Sequence, residues 1–328
     1  MRIVSRATRR LSVVAATIVV LLAVLAAAVP RVMPSEDAVA QKVAAGGIFA
    51  SSYLALAIGK IPGLSIDRAG VALVGACLMI ASGAVQLDDA YRAIDIDTIT
   101  LLLGMMIIVA NLRLSGFFTL ATAWVMRRAH QPLTLLAAIT AISGISSAFL
   151  VNDATCLILT PLVLELTLTL KRRPLPYLLA VATASNAGSV ATITGNPQNI
   201  MIGSISRIPY VNFSIALAPV ALVGLVLAIV WIALLHRDEF RSRDWVEPRV
   251  PRLRVNRPLM LRGLVATVIT IGLFFSGQPP AEAAVVMGAL LLLTRRVKST
   301  RIYAEIDWSL LLMFAGFSSS WRAPSTYF

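Results

Sequence analysis

The chain has 328 residues, 58% of them hydrophobic and 14% charged, with a mean hydropathy of +0.83 and a formal net charge of +13. That composition excludes a soluble globular domain. The basic residues sit in short loops between apolar runs, not on one continuous face, which excludes a nucleic-acid surface. Cys77 and Cys156 fall in apolar runs, and His130 and His236 adjoin basic loops. Neither a disulfide framework nor a metal centre is indicated, and no cofactor is expected.

Apolar runs at 11–29, 43–59, 69–87, 98–112, 133–150, 154–170, 175–205, 210–235, 261–276 and 281–294, with another beginning at Asp307, predict an all-α polytopic membrane protein. The first run follows Arg2, Arg6, Arg9 and Arg10 and resembles a signal peptide ending at Ala26-Ala27-Ala28. It is longer than the usual apolar core of about 7–15 residues, so an uncleaved extra helix within 1–42 is expected.

Basic loops set the orientation. With the N-terminus in the cytoplasm, Lys60, Arg68, Arg127, Arg128, the trio Lys171 to Arg173, the loop from Arg237 to Arg262 and the stretch from Arg295 to Arg301 all fall inside. Only Arg31, Lys42, Arg92 and Arg207 fall outside, a bias that predicts a multi-pass protein of the plasma membrane, the inner membrane in a bacterium.

Residues 131–172 therefore enter and leave on one face, with Asn152-Asp153 at the turn. An ordinary full-span pair with a polar external turn fits this, and so does a re-entrant hairpin whose tip stops inside the protein. The next run favours the hairpin. As one helix, 175–205 would reach about 46 Å against a hydrocarbon core of about 30 Å. It carries Ser185, Asn186, Gly188 and Ser189, then Thr194, Gly195, Asn196 and Asn199, so a broken helix with an unwound stretch supplied by these two groups is expected. Such breaks expose backbone groups and half-helix ends that serve as ion and anion sites. Close packing of the small residues explains Ala187 and Gly188 but leaves the Asn residues without a purpose.

Tyr91-Arg92-Ala93-Ile94-Asp95 returns as Tyr303-Ala304-Glu305-Ile306-Asp307, at an offset of 212 and on the opposite face, with Gly104 and Gly316 each nine residues after the Asp. An inverted repeat is expected, with a first transport repeat at 43–235, a basic cytoplasmic loop at 236–262 and the start of a second repeat at 263–317. The second copy gives way to the polar tail 318–328, which reads as a truncated second repeat; the alternative is a short form completed by a homodimer.

With these residues in view, the chain resembles permeases of the ion-transporter superfamily. It looks nearest to the citrate-transporter-like anion permeases, which are related to arsenite and sodium–proton antiporter permeases and to sodium-coupled dicarboxylate symporters. Ser147–Thr155, Leu159-Thr160-Pro161-Leu162, Ala184–Ser189 and Gly195–Asn199 carry the likeness. It implies an inverted-repeat fold with re-entrant hairpins and broken helices, moving elevator-like to give alternating access. Asn152, Asp153 and Thr155 would form the hairpin tip, and Ser185, Asn186, Gly188 and Ser189 the unwound loop. Na⁺ would bind near Asn152, Asp153 and Asn186. Two positions depart from the pattern: Ala187 stands where the dicarboxylate symporters carry Thr, and Asn196 where the antiporters carry Asp.

The function expected is secondary active transport of a small inorganic or organic anion across the lipid bilayer, coupled to Na⁺ or H⁺. An arsenite or Na⁺/H⁺ antiporter and a passive channel are the alternatives. Arg113, near the inner end of its span, reads as a snorkelling side chain, and Glu165 as interfacial. No zinc-protease, nucleophile-elbow or Walker motif is present, so an enzyme is not expected.

Overall fold

The computed structural model describes residues 38–58, 66–128, 131–241, 255–293 and 297–316, with only the backbone described at 38–44. The expected helix 11–29, the middle of the loop 236–262 and the tail 318–328 lie outside the described residues.

Every regular element among the described residues is helical. In chain order these are α1 (Ala38–Ile58), α2 (Arg68–Ala81), α3 (Leu87–Ala93), α4 (Ile96–Ser115), α5 (Phe117–Arg128), α6 (Pro132–Leu150), α7 (Asn152–Thr169), α8 (Pro174–Ser189), α9 (Pro197–Ser206), α10 (Tyr210–Leu235), α11 (Arg237–Arg241), α12 (Arg257–Phe275), α13 (Pro280–Leu292) and α14 (Ser299–Tyr303), followed by helical residues 308–316. By length and composition α4, α6, α10 and α12 are long and apolar enough to cross a membrane, and α2 and α13 are shorter apolar helices. The chain is an all-α polytopic membrane protein.

Two elements differ from the sequence expectation. The run 69–87 stops at Ala81, turns through Ser82 and Gly83 (φ 73), and restarts as α3. Residues 117–128, outside the apolar runs, form α5, whose Phe118, Thr122, Val125 and Met126 are buried while Arg127 and Arg128 end the helix.

The paired motifs have a common local cause. Asp95 caps α4, accepting from the Thr98 N–H at 3.1 Å and the Thr98 hydroxyl at 2.8 Å. Asp307 likewise accepts from the Leu310 N–H at 3.0 Å ahead of residues 308–316. Each carboxylate satisfies orphan donors of a first turn and faces the positive helix end. The starts of α2 and α13, at Arg68 and Pro280, and of α3 and α14, at Leu87 and Ser299, are separated by the same 212 residues.

The chain divides into two compact units, 1–99 with 307–328, and 100–306. In the first, α1 packs on α2, and Ala45, Ile48, Met79, Ala84, Val85 and Ala90 form the core. In the second, α6 packs most extensively on α8, which also touches α7 and α10.

Contacts within this second unit fix the depth of the α6–α7 turn. Tyr177, early in α8, donates to Glu239, just beyond the end of α10, so α8 and α10 run antiparallel. Gly144 of α6 lies against Leu225, and Gly224 against Ala187. From Gly144 to the end of α6 is about 9 Å, whereas from Leu225 back to the start of α10 is about 22 Å. The turn thus ends roughly 13 Å short of the N-terminal end of α10.

Candidate functional site

Helix α6 ends at Leu150 and α7 begins at Asn152, so Val151 alone makes the turn, at φ 69 and ψ 127. A β-branched residue there is strained by about 1–3 kcal/mol, a cost tolerated when surrounding packing imposes it. Val151 is only 1% exposed.

Next to it, the Asn152 Nδ2 donates to Asn186 Oδ1 at 3.1 Å, and the Asn186 Nδ2 donates to the Ala182 carbonyl at 3.0 Å. This joins the hairpin tip to α8. Asn152 Oδ1 and Thr155 Oγ1 are buried without a hydrogen-bond partner among the described residues. Asp153 is exposed in the first turn of α7, where the helix dipole favours a carboxylate.

The break in the following helix lies later than expected. Ser185, Asn186, Gly188 and Ser189 are helical, and the chain leaves α8 only after Ser189. The interruption runs through Val190–Asn196 and contains a 3-10 turn at Ile193–Gly195. Serine hydroxyls turned back on their own helix explain the continuation. Ser185 donates to the Ala182 carbonyl at 3.1 Å and Ser189 to the Asn186 carbonyl at 2.8 Å. Ser185 Oγ also lies 2.8 Å from the Cys156 sulfur, and the Ser147 hydroxyl donates to the Ser185 carbonyl at 2.6 Å. Gly188 serves close approach, because a Cβ there would overlap the Gly144 backbone.

The remaining expected site residues hold the break in shape. The Asn196 Oδ1 accepts from the Asn199 N–H at 2.7 Å, capping α9, while the Asn196 Nδ2 donates to Ser189 Oγ at 3.1 Å. The Asn199 Nδ2 points back at three carbonyls, those of Thr192 at 2.9 Å, Ser189 at 3.2 Å and Val190 at 3.5 Å. Carbonyls left orphaned by the end of α8 are thereby satisfied. A Cβ on Gly195 would overlap the Ser189 carbonyl. Thr194 Oγ1 lies 2.8 Å from the Tyr210 hydroxyl.

The arrangement thus sorts the expected residues. Ser185, Ser189, Thr194, Asn196 and Asn199 spend polar atoms on the protein itself, whereas Asn152 and Thr155 keep oxygens in reserve. The tip and the break together present the N-termini of α7 and α9, which suit negative charge, and the carbonyl ends of α6 and α8, which suit positive charge. Sequence reasoning missed Tyr210, Thr192, Ser147 and Cys156. No local pattern marks these four, and only the fold brings them to the tip and the break. Arg113 pairs with Glu305, so it does more than snorkel. Arg172 and Glu239, both nearly buried, lie 3.8 Å apart.

Residues 53–318 match the citrate transporter family (CitMHS). An uncharacterized transporter of Mycobacterium tuberculosis (strain H37Rv) is 30% identical over 283 residues, covering 82% of this chain and 65% of that protein. A silicon efflux transporter of Oryza sativa subsp. japonica is 33% identical over 199 residues, 60% of this chain and 41% of the relative. An inner membrane protein of Escherichia coli (strain K12) is 30% identical over 233 residues, 68% and 58% respectively. The chain thus spans less than two thirds of the length of these curated relatives. A match over this much of the sequence shows the family, one of transporters and not of enzymes: the chain belongs to the citrate transporter family.

Proposed function

We propose that this protein is a secondary active permease of a small anion, coupled to Na⁺ or H⁺, in which the hairpin tip and the broken helix enclose the carried species. One observation carries the proposal: where Asn152 meets Asn186, Asn152 Oδ1 and Thr155 Oγ1 are buried without a partner. A buried oxygen left without a donor costs about 1–3 kcal/mol, and a bound cation removes that cost. Asn152, Asp153, Thr155 and Asn186 are the ligand-facing residues of this reading, and Asp153 supplies the charge that senses the coupling ion. Ser185, Gly188, Ser189, Thr194, Gly195, Asn196 and Asn199 set the shape of the break around it. The anion takes the positive ends of α7 and α9.

The depth of the α6–α7 turn relative to α10 supports a re-entrant hairpin, and the constant offset of 212 supports an inverted repeat with opposite orientation. Ala187 and Asn196 weigh against a dicarboxylate symporter and against an antiporter with a carboxylate at the break. A relative named as a silicon efflux transporter keeps a weak oxyacid among the substrates to be tried. In proteoliposomes bearing the chain, uptake of citrate, sulfate, arsenite or silicic acid should saturate and depend on a Na⁺ or proton gradient, and Asp153→Asn should remove that dependence. Linear, gradient-independent flux would instead make the protein a channel, and an unchanged ion dependence in Asp153→Asn would move coupling elsewhere.

A further inference from the structure

Beneath the hairpin tip runs a chain of hydroxyls to which the transport reading gives no role beyond the part of Thr194 in shaping the break. Thr192, in the break, donates from Oγ1 to the carbonyl of Ala148 in the last turn of α6. Thr194 Oγ1 lies 3.3 Å from Thr192 Oγ1 and 2.8 Å from the Tyr210 hydroxyl at the start of α10. All three are buried, at 2%, 0% and 4% exposure. The Tyr210 ring is held by Phe274 and Phe275 of α12, at centroid distances of 5.2 and 5.1 Å.

The direction of the chain follows from its end. A carbonyl can only accept, so the Thr192 proton is committed to Ala148 and the Thr192 oxygen is left to accept from Thr194. The Thr194 oxygen in turn accepts from Tyr210. The Ala148 carbonyl is one of those that the end of α6 leaves without an intrahelical donor. A tyrosine fixed by two aromatic rings thereby anchors the hairpin tip through two threonines. Bonds aligned head to tail in a dry interior reinforce one another, so losing the Tyr210 hydroxyl weakens the whole chain.

We infer that Tyr210, Thr194 and Thr192 form a latch that seats the hairpin tip on the helix break, and that they are positioning residues for the site between them. The inference rests on the transport reading for its functional meaning, although the latch can be tested without transport. Cys156 reports on it directly, since its sulfur lies beside Ser185 under the tip. With Cys77 replaced by Ala, the rate at which a small methanethiosulfonate reagent modifies Cys156 measures how often the tip lifts.

Tyr210→Phe keeps the ring contacts and removes only the hydroxyl, and Thr194→Val breaks the chain at its centre. Each should speed modification about fivefold, the worth of one net hydrogen bond. Thr194→Ser, which keeps the hydroxyl, should react at the parent rate, and so should Tyr177→Phe, which removes a hydroxyl at the far end of α8. Parent rates in Tyr210→Phe and Thr194→Val overturn the latch, as does equal acceleration in Tyr177→Phe, which would mean general loosening. In uptake, Tyr210→Phe should raise the KM for the carried anion about fivefold with maximal rate little changed, by the same bond-loss arithmetic. If the parent protein carries nothing while the modification rates follow this pattern, the transport reading fails and the latch stands; parent rates in an active transporter give the reverse.

Discussion

Gly104 of α4 lies so close to Ala284 of α13 that a Cβ at Gly104 would overlap the Ala284 backbone. In the other compact unit Gly316 stands in the same relation to the backbone of Ala72 in α2. Gly316 follows Gly104, and Ala284 follows Ala72, by the same 212 residues. The two contacts are mates in the proposed repeat, each joining a helix of one copy to a helix of the other. Backbone meets backbone at both places, so no side chain can move aside for an added methyl. Gly104→Ala and Gly316→Ala should each lower stability by about 1–3 kcal/mol, as overpacking does. Gly272→Ala in α12, where a Cβ meets nothing within 4 Å, should raise it by up to about 1 kcal/mol. Thermal unfolding in one detergent distinguishes the three, and a neutral Gly104→Ala would remove the tight contact.

Thr155 offers a separation of stability from function. Its hydroxyl is buried without a partner, so the fold gains nothing from it. Thr155→Val should leave the melting temperature unchanged or raise stability by up to about 1 kcal/mol. If Thr155 Oγ1 contributes to the coupling-ion site, the same substitution should weaken ion-dependent uptake severalfold. A destabilised variant with normal uptake would show that the hydroxyl belongs to the packing.

The helices were legible where apolar runs were long and unbroken, as in α4, α6, α10 and α12. Helix α5 was not, because its apolar stretch Phe117–Met126 is only ten residues long, carries two Thr and runs into Arg127 and Arg128, too short to read as a span. The break was foreseen but set too early. Gly188 reads as a breaker in sequence, yet its use is to let α8 touch Gly144, and the Ser185 and Ser189 hydroxyls fold back onto the helix they were expected to interrupt. Nothing local in the sequence tells a glycine needed for packing from one needed for unwinding. The roles of Asn196 and Asn199 were hidden for a related reason. Their type suggests ligands, while their partners, Ser189 and the carbonyls of the break, are set by tertiary geometry. Arg113 and Glu305 are far apart in the chain, and only the fold makes them a pair.

The end of the second unit away from the hairpin tip is held by Glu239. It lies 3.8 Å from Arg172 and accepts from the Tyr177 hydroxyl at 3.3 Å, and both charged side chains are less than a tenth exposed. Glu239→Gln removes the carboxylate charge facing a buried guanidinium. That should cost about 3 kcal/mol, close to the penalty for breaking a buried pair from one side. The double variant Arg172→Met, Glu239→Gln should recover part of the loss, which a double-mutant cycle of thermal unfolding measures. Additive losses would show that the two charges do not act on each other.

The last prediction concerns how deep the hairpin tip lies. The register of Gly144 on Leu225 leaves about 9 Å of α6 above the contact and about 22 Å of α10, so a tip that ends inside the membrane is the reading to test. Ala154 is half-buried one turn past the tip, and its small side chain makes it suitable for a probe. In a protein with Cys77 and Cys156 replaced by Ala, a cysteine at Ala154 should react slowly with an impermeant thiol reagent added from the side of the α10 N-terminus. A carried anion or coupling ion bound at the tip should slow it further. A re-entrant tip reaches that solvent only through the site, whereas the turn of a full-span pair would stand in it. Fast modification, indifferent to every anion and ion tried, would therefore make α6 and α7 an ordinary spanning pair.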